Sequence, residues 1–154
     1  MIKAKPAFTV LLTAALLGIA ACGNDGDEGG DGAKESGEPI LIKTHLAPLN
    51  ARGESTGEVL SGSTIGDSAF CAGGKFIDGP VEATKRSVMR SFRCPGGTLT
   101  ITFTSTPPGV KQSSDWKVVK GLVRFEGLSG GGRMRGVLES GGGGRETFTG
   151  TVTR

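Results

Sequence analysis

Apolar and polar residues alternate most regularly between Thr98 and Thr104, where threonines separate Leu99, Ile101 and Phe103. A repeat of two residues places successive side chains on opposite faces of a β-strand. One face of this segment is therefore predicted to be buried and the other to contact water.

A second strand signal extends from Trp116 to Gly136, where two runs of strand-forming residues flank a glycine-rich turn at 127–132. We interpret this stretch as a β-hairpin around which the other strands are arranged. Its second arm is predicted to place Met134 and Leu138 on one face.

The first arm of this hairpin has two competing faces. One parity carries the apolar residues Val119, Val123 and Phe125, and the opposite parity carries Trp116 and Val118. A β-bulge, which inserts one extra residue into a strand, would bring both sets to the same face. We predict that bulge near the lysine at position 117.

Weaker strand signals fill the rest of the domain, separated by Gly and Pro turn signals about every ten residues. They lie at Ile40–Leu46, Glu54–Leu60, Gly62–Asp67, Lys75–Ile77, Arg86–Cys94 and Arg145–Thr153, and residues 111–115 (KQSSD) are predicted to form a polar loop. This pattern predicts an all-β fold, specifically a small antiparallel β-barrel of about eight strands. A β-sandwich is the alternative.

The N-terminus has the organisation of an export signal, because Lys3 and Lys5 precede an apolar run from Ala7 to Ala21. The run is shorter than the roughly 20 residues that a spanning helix needs. Residues 19–22, Ile-Ala-Ala-Cys, resemble the lipobox of bacterial lipoproteins, which implies cleavage before Cys22 and diacylation of its thiol. The alternative is an ordinary secretory signal with an incidental cysteine.

These features divide the chain into a lipoprotein signal peptide (1–21), a lipidated Cys22 with a flexible tether (22–38) and one folded domain (39–154). Residues 23–38 carry six acids against one lysine, and their largest apolar side chain is alanine. Such a segment cannot bury enough surface to fold. The predicted location is the extracytoplasmic face of the cell membrane, where two acyl chains at Cys22 provide the anchor.

The composition of the domain argues against nucleic acid as a partner. The chain has one tryptophan, seven phenylalanines and no tyrosine, so platforms for stacking bases are scarce. Residues 39–154 carry fifteen Lys and Arg against nine Asp and Glu, a formal excess of +6. Scattered solvated charge or contact with anionic envelope polymers or lipid headgroups would both fit this excess.

With Cys22 assigned to the lipid, Cys71 and Cys94 remain as an even pair in an exported protein. Disulfides form in the oxidising compartments outside the cytoplasm, so we predict a bond between them. Two free thiols or a metal pair is the alternative, although no CxxC motif or nearby histidine supports a metal.

Glycine and phenylalanine recur at a regular spacing near the C-terminus: Gly121-x3-Phe125-x-Gly127-Leu128-x-Gly130-x-Gly132-x-Met134-x-Gly136, then Phe148-x-Gly150. This spacing resembles the C-terminal hairpins of β-barrels of the allene oxide cyclase and dirigent type, and small exported bacterial proteins of unassigned role. The resemblance implies a barrel whose cavity guides a reactive intermediate without a metal or nucleotide. The acid and amide residues of those enzymes have no matching motif here, so no catalytic residue is carried over.

The residue types that carry most enzyme chemistry are sparse. The single histidine, His45, is interpreted as a solvated or hydrogen-bonded structural residue, with a general base as the alternative. Ser61 and Ser63 lack the context of a hydrolase nucleophile. The glycines at 130–132 and 141–144 lack a P-loop pattern and are predicted to form hairpin turns. No catalytic residue, cofactor or metal is therefore predicted.

Two charged residues share the parity of predicted core positions. Arg90 lies between Val88 and Phe92, and Glu146 lies two residues before Phe148. If both faces point inward, these charges lie inside the barrel or at its mouth. The alternative is that each charge lies near a strand end and reaches water.

Two functions of different classes fit these observations. The first is a lipid-anchored extracytoplasmic barrel that binds a small apolar ligand or a cell-surface partner. The second is a cofactor-free enzyme of the cyclase or isomerase type that uses the barrel interior. A closed cavity lined by Arg90 and Glu146 favours the enzyme. An interior filled by apolar side chains favours the binding or interaction module, which is the function we expect. The side chains expected to fill it are those of Leu99, Ile101, Phe103, Val123 and Phe148.

Overall fold

A computed structural model describes residues 37–52, 54–81, 84–107, 111–141 and 143–154. The predicted signal peptide, Cys22 and most of the predicted tether lie outside these residues. Within them, no helix is long and apolar enough to cross a membrane. The strands of this part are β1 (Glu38–Leu46), β2 (Thr56–Val59), β3 (Thr64–Ile65), β4 (Ser68–Ala69), β5 (Lys75–Asp78), β6 (Ser87–Cys94), β7 (Gly97–Thr104), β8 (Lys111–Val123), β9 (Ser129–Leu138) and β10 (Gly144–Thr153).

Eight of these strands form a closed antiparallel barrel in the order β1-β2-β5-β6-β7-β8-β9-β10. The barrel closes because β10 pairs with β1 along its whole length, from Glu38 opposite Val152 to Leu46 opposite Gly144. Strands β3 and β4 form a small additional hairpin, and β3 pairs with the first half of β1. The all-β class and the barrel are confirmed, and the sandwich alternative is wrong.

The core fills the barrel with the inward residues of the alternating strands. At its centre the ring of Phe148 makes edge contacts with three aromatic rings, those of Phe92, Phe103 and Trp116, at centroid distances of 6.4, 5.4 and 6.3 Å. Further interior side chains come from most of the other strands: Ile40, Ile42, Val59, Phe76, Val88, Leu99, Ile101, Met134 and Val152.

Several predicted faces are confirmed by burial. The threonines of β7 alternate with the buried Leu99, Ile101 and Phe103. Val88, Arg90 and Phe92 of β6 are buried, whereas Met89 between them is exposed. The inward positions Met134, Leu138, Phe148 and Val152 are also buried.

The weaker strand predictions are only partly right. The segment predicted at 54–60 shortens to β2, and the segment predicted at 62–67 contains the two-residue strand β3. The predicted loop at 111–115 is wrong, because these residues begin β8 and pair with β9 from Lys111 opposite Val137. Backbone hydrogen bonds with β9 define this strand despite its polar side chains.

The prediction of a shared apolar face in the first hairpin arm is wrong. The side chains of Val119 and Val123 are 51% and 74% exposed, whereas Trp116 is buried. The bulge exists, but it lies at Val119 and not at Lys117, because the pairing with β7 passes from Val118 directly to Lys120. One extra residue at that point reverses which side chains face the core after it.

The predicted turns at the two glycine stretches are shorter than expected. The chain turns at 124–127, and the glycines at 130–132 belong to β9. A side chain at Gly132 would collide with the backbone oxygen of Thr149 on the neighbouring strand. These glycines therefore permit close packing of β9 against β10. In the second stretch, Gly144 likewise belongs to β10.

Candidate functional site

The two ends of the barrel are closed to different degrees, and one of them, called here the plugged end, is filled by apolar side chains. Phe70, Phe125 and Leu128 are buried there. The ring of Phe70 lies 5.6 Å from that of Phe92 and 5.7 Å from that of Phe125, measured between centroids. These contacts continue the core to the end of the barrel.

A disulfide bond between Cys71 and Cys94 reinforces the plugged end, as predicted. The Cα atoms of the two cysteines are 4.8 Å apart. Cys71 follows Phe70 directly, so the bond ties the residue that fills the plugged end to the last residue of β6.

The opposite end, called here the open end, contains a cavity of about 790 Å³. Leu46, Val88, Phe103 and Leu138 supply apolar walls, and the exposed side chains of Leu49 and Val81 contribute to its rim. The polar side chains Asp78, Arg90 and Glu146 also line this cavity. It is thus an apolar pocket with charged groups at its base.

Arg90 links a carboxylate on the neighbouring strand, that of Asp78 on β5, to one on the opposite side of the barrel, that of Glu146 on β10. Its Nε donates to Oδ1 of Asp78 at 2.6 Å and its Nη2 donates to Oδ2 at 2.7 Å, which makes a two-point ion pair. Its Nη1 donates to Oε2 of Glu146. The guanidinium of Arg90 and the carboxylate of Glu146 are almost completely buried. Paired geometry of this kind offsets the high cost of burying charge.

Neighbouring groups fix the orientation of this ion-pair cluster. The hydroxyl of Thr44 donates to Oε2 of Glu146 at 3.3 Å. The Cζ atom of Arg90 lies 4.0 Å from the centroid of the Phe76 ring and 4.9 Å from that of Phe103. Cation–π contacts of this kind become stronger when the cation is removed from water. The guanidinium is therefore held by both hydrogen bonds and rings.

The charge state of Arg90 follows from these contacts. Burial alone would lower the pKa of Arg90, but the negative charge of Glu146 and the hydrogen bond with Asp78 outweigh it, so the pKa is raised. The guanidinium stays protonated over the physiological pH range. One cation then faces the two carboxylates of Asp78 and Glu146.

A second polar feature of the interior is a pair of side chains on β8 without hydrogen-bond partners. Both polar atoms of Gln112 and the hydroxyl of Ser114 are buried, and none of them has a partner in the described part of the chain. Gln112 is only 2% exposed. Unpaired buried amides are uncommon in native proteins and call for an explanation.

The structure brings together the two charged residues singled out from the sequence, Arg90 and Glu146, and adds two residues that were missed. Asp78 lies one residue beyond the predicted strand at Lys75–Ile77 and just before Gly79 and a proline, although it has the same parity as Phe76. Gln112 was assigned to the polar loop, although it has the same parity as Trp116. Both residues would have been predicted to face inward if the alternation of inward and outward side chains had been continued past the predicted ends of β5 and β8.

His45, the other residue considered for chemistry, lies away from this cluster on the outer surface of the barrel. Its side chain is 51% exposed and its Nδ1 atom is 3.9 Å from Oε1 of Glu58. Its exposure agrees with a solvated structural histidine.

Comparison of the chain with protein-family models, curated proteins and solved structures gave no match. The fold and the site therefore define only a class, a closed eight-stranded barrel with one plugged end and one charged pocket. A function has to be argued from the pocket itself.

Proposed function

We propose that the protein is a lipid-anchored extracytoplasmic binding protein that holds a small, largely apolar ligand in the open end of its barrel. The observation that carries this proposal is the cavity of about 790 Å³ at that end, with apolar walls and a charged base. The cavity opens at the mouth of the barrel and is not closed, while Leu99, Ile101 and Phe148 fill the interior, and this combination favours the binding module. Ligand sites of soluble proteins are clefts of roughly 300–1,000 Å³ with the same composition, namely mostly apolar surface and a few placed polar groups.

The arrangement of the core supports binding at one end only. Phe70, Phe125 and Leu128 occupy the plugged end, so a ligand has access through the opposite end. The ion pairs of Arg90 and the hydrogen bond from Thr44 fix the polar groups before any ligand arrives. Preorganised groups lose little conformational entropy on binding.

The position of the chain's entry into the barrel fits a membrane anchor at Cys22. Strand β1 begins at Glu38, opposite Val152, which is the plugged end of the barrel. A tether attached there leaves the open end free. Two acyl chains on Cys22 would hold the protein stably, since single chains give only reversible binding.

An enzyme of the cofactor-free cyclase or isomerase type is the second candidate, and one observation favours it. Glu146 presents a buried carboxylate at the base of the cavity, positioned by Arg90 and Thr44. A carboxylate held in an apolar pocket is suited to move a proton of a bound substrate. This is also the kind of chemistry implied by the resemblance to allene oxide cyclase and dirigent barrels.

Native mass spectrometry of the full-length protein, purified from membranes in detergent, tests the pocket. We expect an adduct of defined mass on the wild-type protein. Ser105→Trp places a large side chain in the cavity lining and should remove the adduct, whereas Thr151→Trp on the exposed outer wall should retain it. An adduct that survives Ser105→Trp, or a wild-type protein that never carries one, would refute binding in this pocket.

The fate of the captured ligand separates the binding protein from the enzyme. A binding protein returns the ligand with its mass and isomeric form unchanged after incubation. An enzyme converts it, and Glu146→Gln should then abolish conversion while the adduct remains detectable.

Detergent partitioning tests the anchor independently. The wild-type protein should enter the detergent phase and show the mass of a diacylglyceryl group on Cys22. Cys22→Ala should move the protein to the aqueous phase. A native N-terminus without lipid would contradict the anchor and leave the pocket proposal unaffected.

A further inference from the structure

We infer that the open-end pocket selects a cationic ligand, namely an amine carried on an apolar body. This inference rests on the proposed binding function and names its ligand class. It follows from two observations on the described part of the barrel interior: the buried charges there do not cancel, and the one buried cation is already occupied by two carboxylates.

The buried charges leave one negative charge uncompensated. Asp78 and Glu146 face the single guanidinium of Arg90, and all three side chains are at most 9% exposed. Charges removed from water interact strongly, since little solvent screens them. A ligand that brings one positive charge into this pocket would make the buried site neutral.

The cations at the rim do not change this balance. Arg52 and Arg86 line the outer part of the cavity, with Glu54 near Arg52 in the chain. These side chains lie at the exposed mouth, where salt screens charges over about 8 Å at physiological ionic strength. The buried cluster therefore decides which charge the base of the pocket accepts.

Arg90 has little capacity left for an anionic ligand. Three of its N–H groups already donate to Asp78 and Glu146, and Phe76 lies against one face of the guanidinium. A carboxylate or phosphate ligand would place a third anion around one cation. The third anion would be repelled by both carboxylates and would find no further buried cation to pair with in the described residues.

Gly136 lies between two buried polar side chains, of which Glu146 lines the cavity and Gln112 does not. Gln112 on β8 and Glu146 on β10 both lie opposite Gly136 of β9, which has no side chain to separate them. A Cβ atom on Gly136 would lie 2.7 Å from Cγ of Glu146, so the side chain of Glu146 covers this glycine. Two strand spacings of about 4.8 Å separate the backbones of Gln112 and Glu146.

The acceptors on both sides of Gly136 are available. In the described residues, the side-chain hydrogen bonds to the Glu146 carboxylate go to its Oε2 atom, from Arg90 and Thr44, which leaves Oε1 for a ligand. The amide oxygen of Gln112 has no partner in the same part of the chain. Glu146 lines the cavity, whereas Gln112 does not, so the N–H donors of an ammonium group would meet Oε1 of Glu146.

Three ligands with the same ring but different polar groups test this inference: benzylamine, benzyl alcohol and benzoate. Isothermal titration on the full-length protein in detergent at pH 7 and low salt measures the affinity of each. We expect benzylamine to bind about tenfold or more tightly than the other two, as one desolvated charge pair contributes at least that factor.

Variants that neutralise one carboxylate identify the source of the preference. Glu146→Gln removes the uncompensated charge, so benzylamine affinity should fall about tenfold, to the level of benzyl alcohol. Glu139→Gln makes the same chemical change at an exposed position outside this cavity and should leave all three affinities unchanged.

The outcomes distinguish this inference from the binding function on which it rests. Tighter binding of benzoate or benzyl alcohol, or a benzylamine preference that survives Glu146→Gln, would overturn the cationic ligand and leave the binding function standing. Failure of all three ligands to bind would overturn both.

Discussion

The two ends of this barrel are built from the same eight strands but differ in the side chains they point inward. At the plugged end the interior is apolar and aromatic, with Phe70, Phe125 and Leu128 in contact with the core. At the open end the interior holds Arg90 and Glu146, together with an unfilled cavity. The difference lies in side chains and connections, while the backbone pairing is continuous.

This contrast shows how a small domain can combine a stable core with an open pocket. Packing and a disulfide bond stabilise one end, where they do not obstruct access. Buried charges and an open cavity, which stabilise a fold less than a packed core does, are confined to the other end. We therefore expect substitutions at the two ends to affect stability and binding in different proportions.

Removal of the central cation should have the largest effect. Arg90→Met leaves the carboxylates of Asp78 and Glu146 buried without the cation that pairs with them, so the free energy of unfolding should fall by about 3–5 kcal/mol. Denaturant unfolding at pH 7 measures this change. As a control, the triple variant with Asp78→Asn, Arg90→Met and Glu146→Gln carries no buried charge and should recover most of the loss. If Arg90→Met alone is as stable as the wild type, the ion pairs of Arg90 do not stabilise the open end.

Loss of the disulfide should have the next largest effect on stability. It should show that the plugged end contributes to stability and not to ligand affinity. Cys71→Ser with Cys94→Ser should lower the free energy of unfolding by about 3 kcal/mol, because the bond restricts the unfolded chain between them. The affinity for benzylamine should stay the same at temperatures where the variant is folded. Weaker binding by a folded double variant would mean that the plugged end also shapes the pocket.

Replacement of the buried amide should stabilise the protein. Gln112→Leu removes two polar atoms that lack partners in the described residues, so the free energy of unfolding should rise by about 1–2 kcal/mol. Gln112→Asn keeps an amide at the position and should show no gain in thermal or denaturant unfolding. If both variants are less stable than the wild type, the amide of Gln112 has a partner that stabilises the fold.

The smallest effect is expected at an exposed residue near the plugged end. Val123 has a φ of 59°, a left-handed conformation that disfavours β-branched side chains. Val123→Gly should therefore raise the free energy of unfolding by about 1 kcal/mol without changing ligand affinity. Val119→Gly, at another exposed position of the same strand without this conformation, should lower stability. Equal effects of the two substitutions would contradict strain at Val123.

Much of the barrel could be predicted from the sequence because it depends on local alternation. The threonines of β7 and the inward Phe148 of β10 mark their faces without ambiguity. The faces of β8 could not be predicted in the same way, since one extra residue at Val119 reverses the parity. The position of a bulge depends on the neighbouring strand, which a single segment does not reveal.

Only part of the candidate site could be predicted, because local alternation marks the inward face of some strands and not of others. Arg90 and Glu146 were found because each lies among apolar residues of a clear strand. Asp78 comes from the last residue of a short strand, and Gln112 lies among polar neighbours, so neither has an apolar pattern around it. Their meeting inside the barrel depends on strand order, which connects residues far apart in the chain.

The closure of the barrel by its first and last strands has a consequence for the timing of folding. Thr44 of β1 and Glu146 of β10 are hydrogen-bonded across a separation of 102 residues. Contacts between such distant residues form slowly, because a long loop has to close before they are made. The ring cannot be completed until strand β10 is available to pair with β1. Folding of the closed barrel is therefore coupled to the C-terminal strand, and a chain that lacks β10 has two unpaired edges instead of a ring.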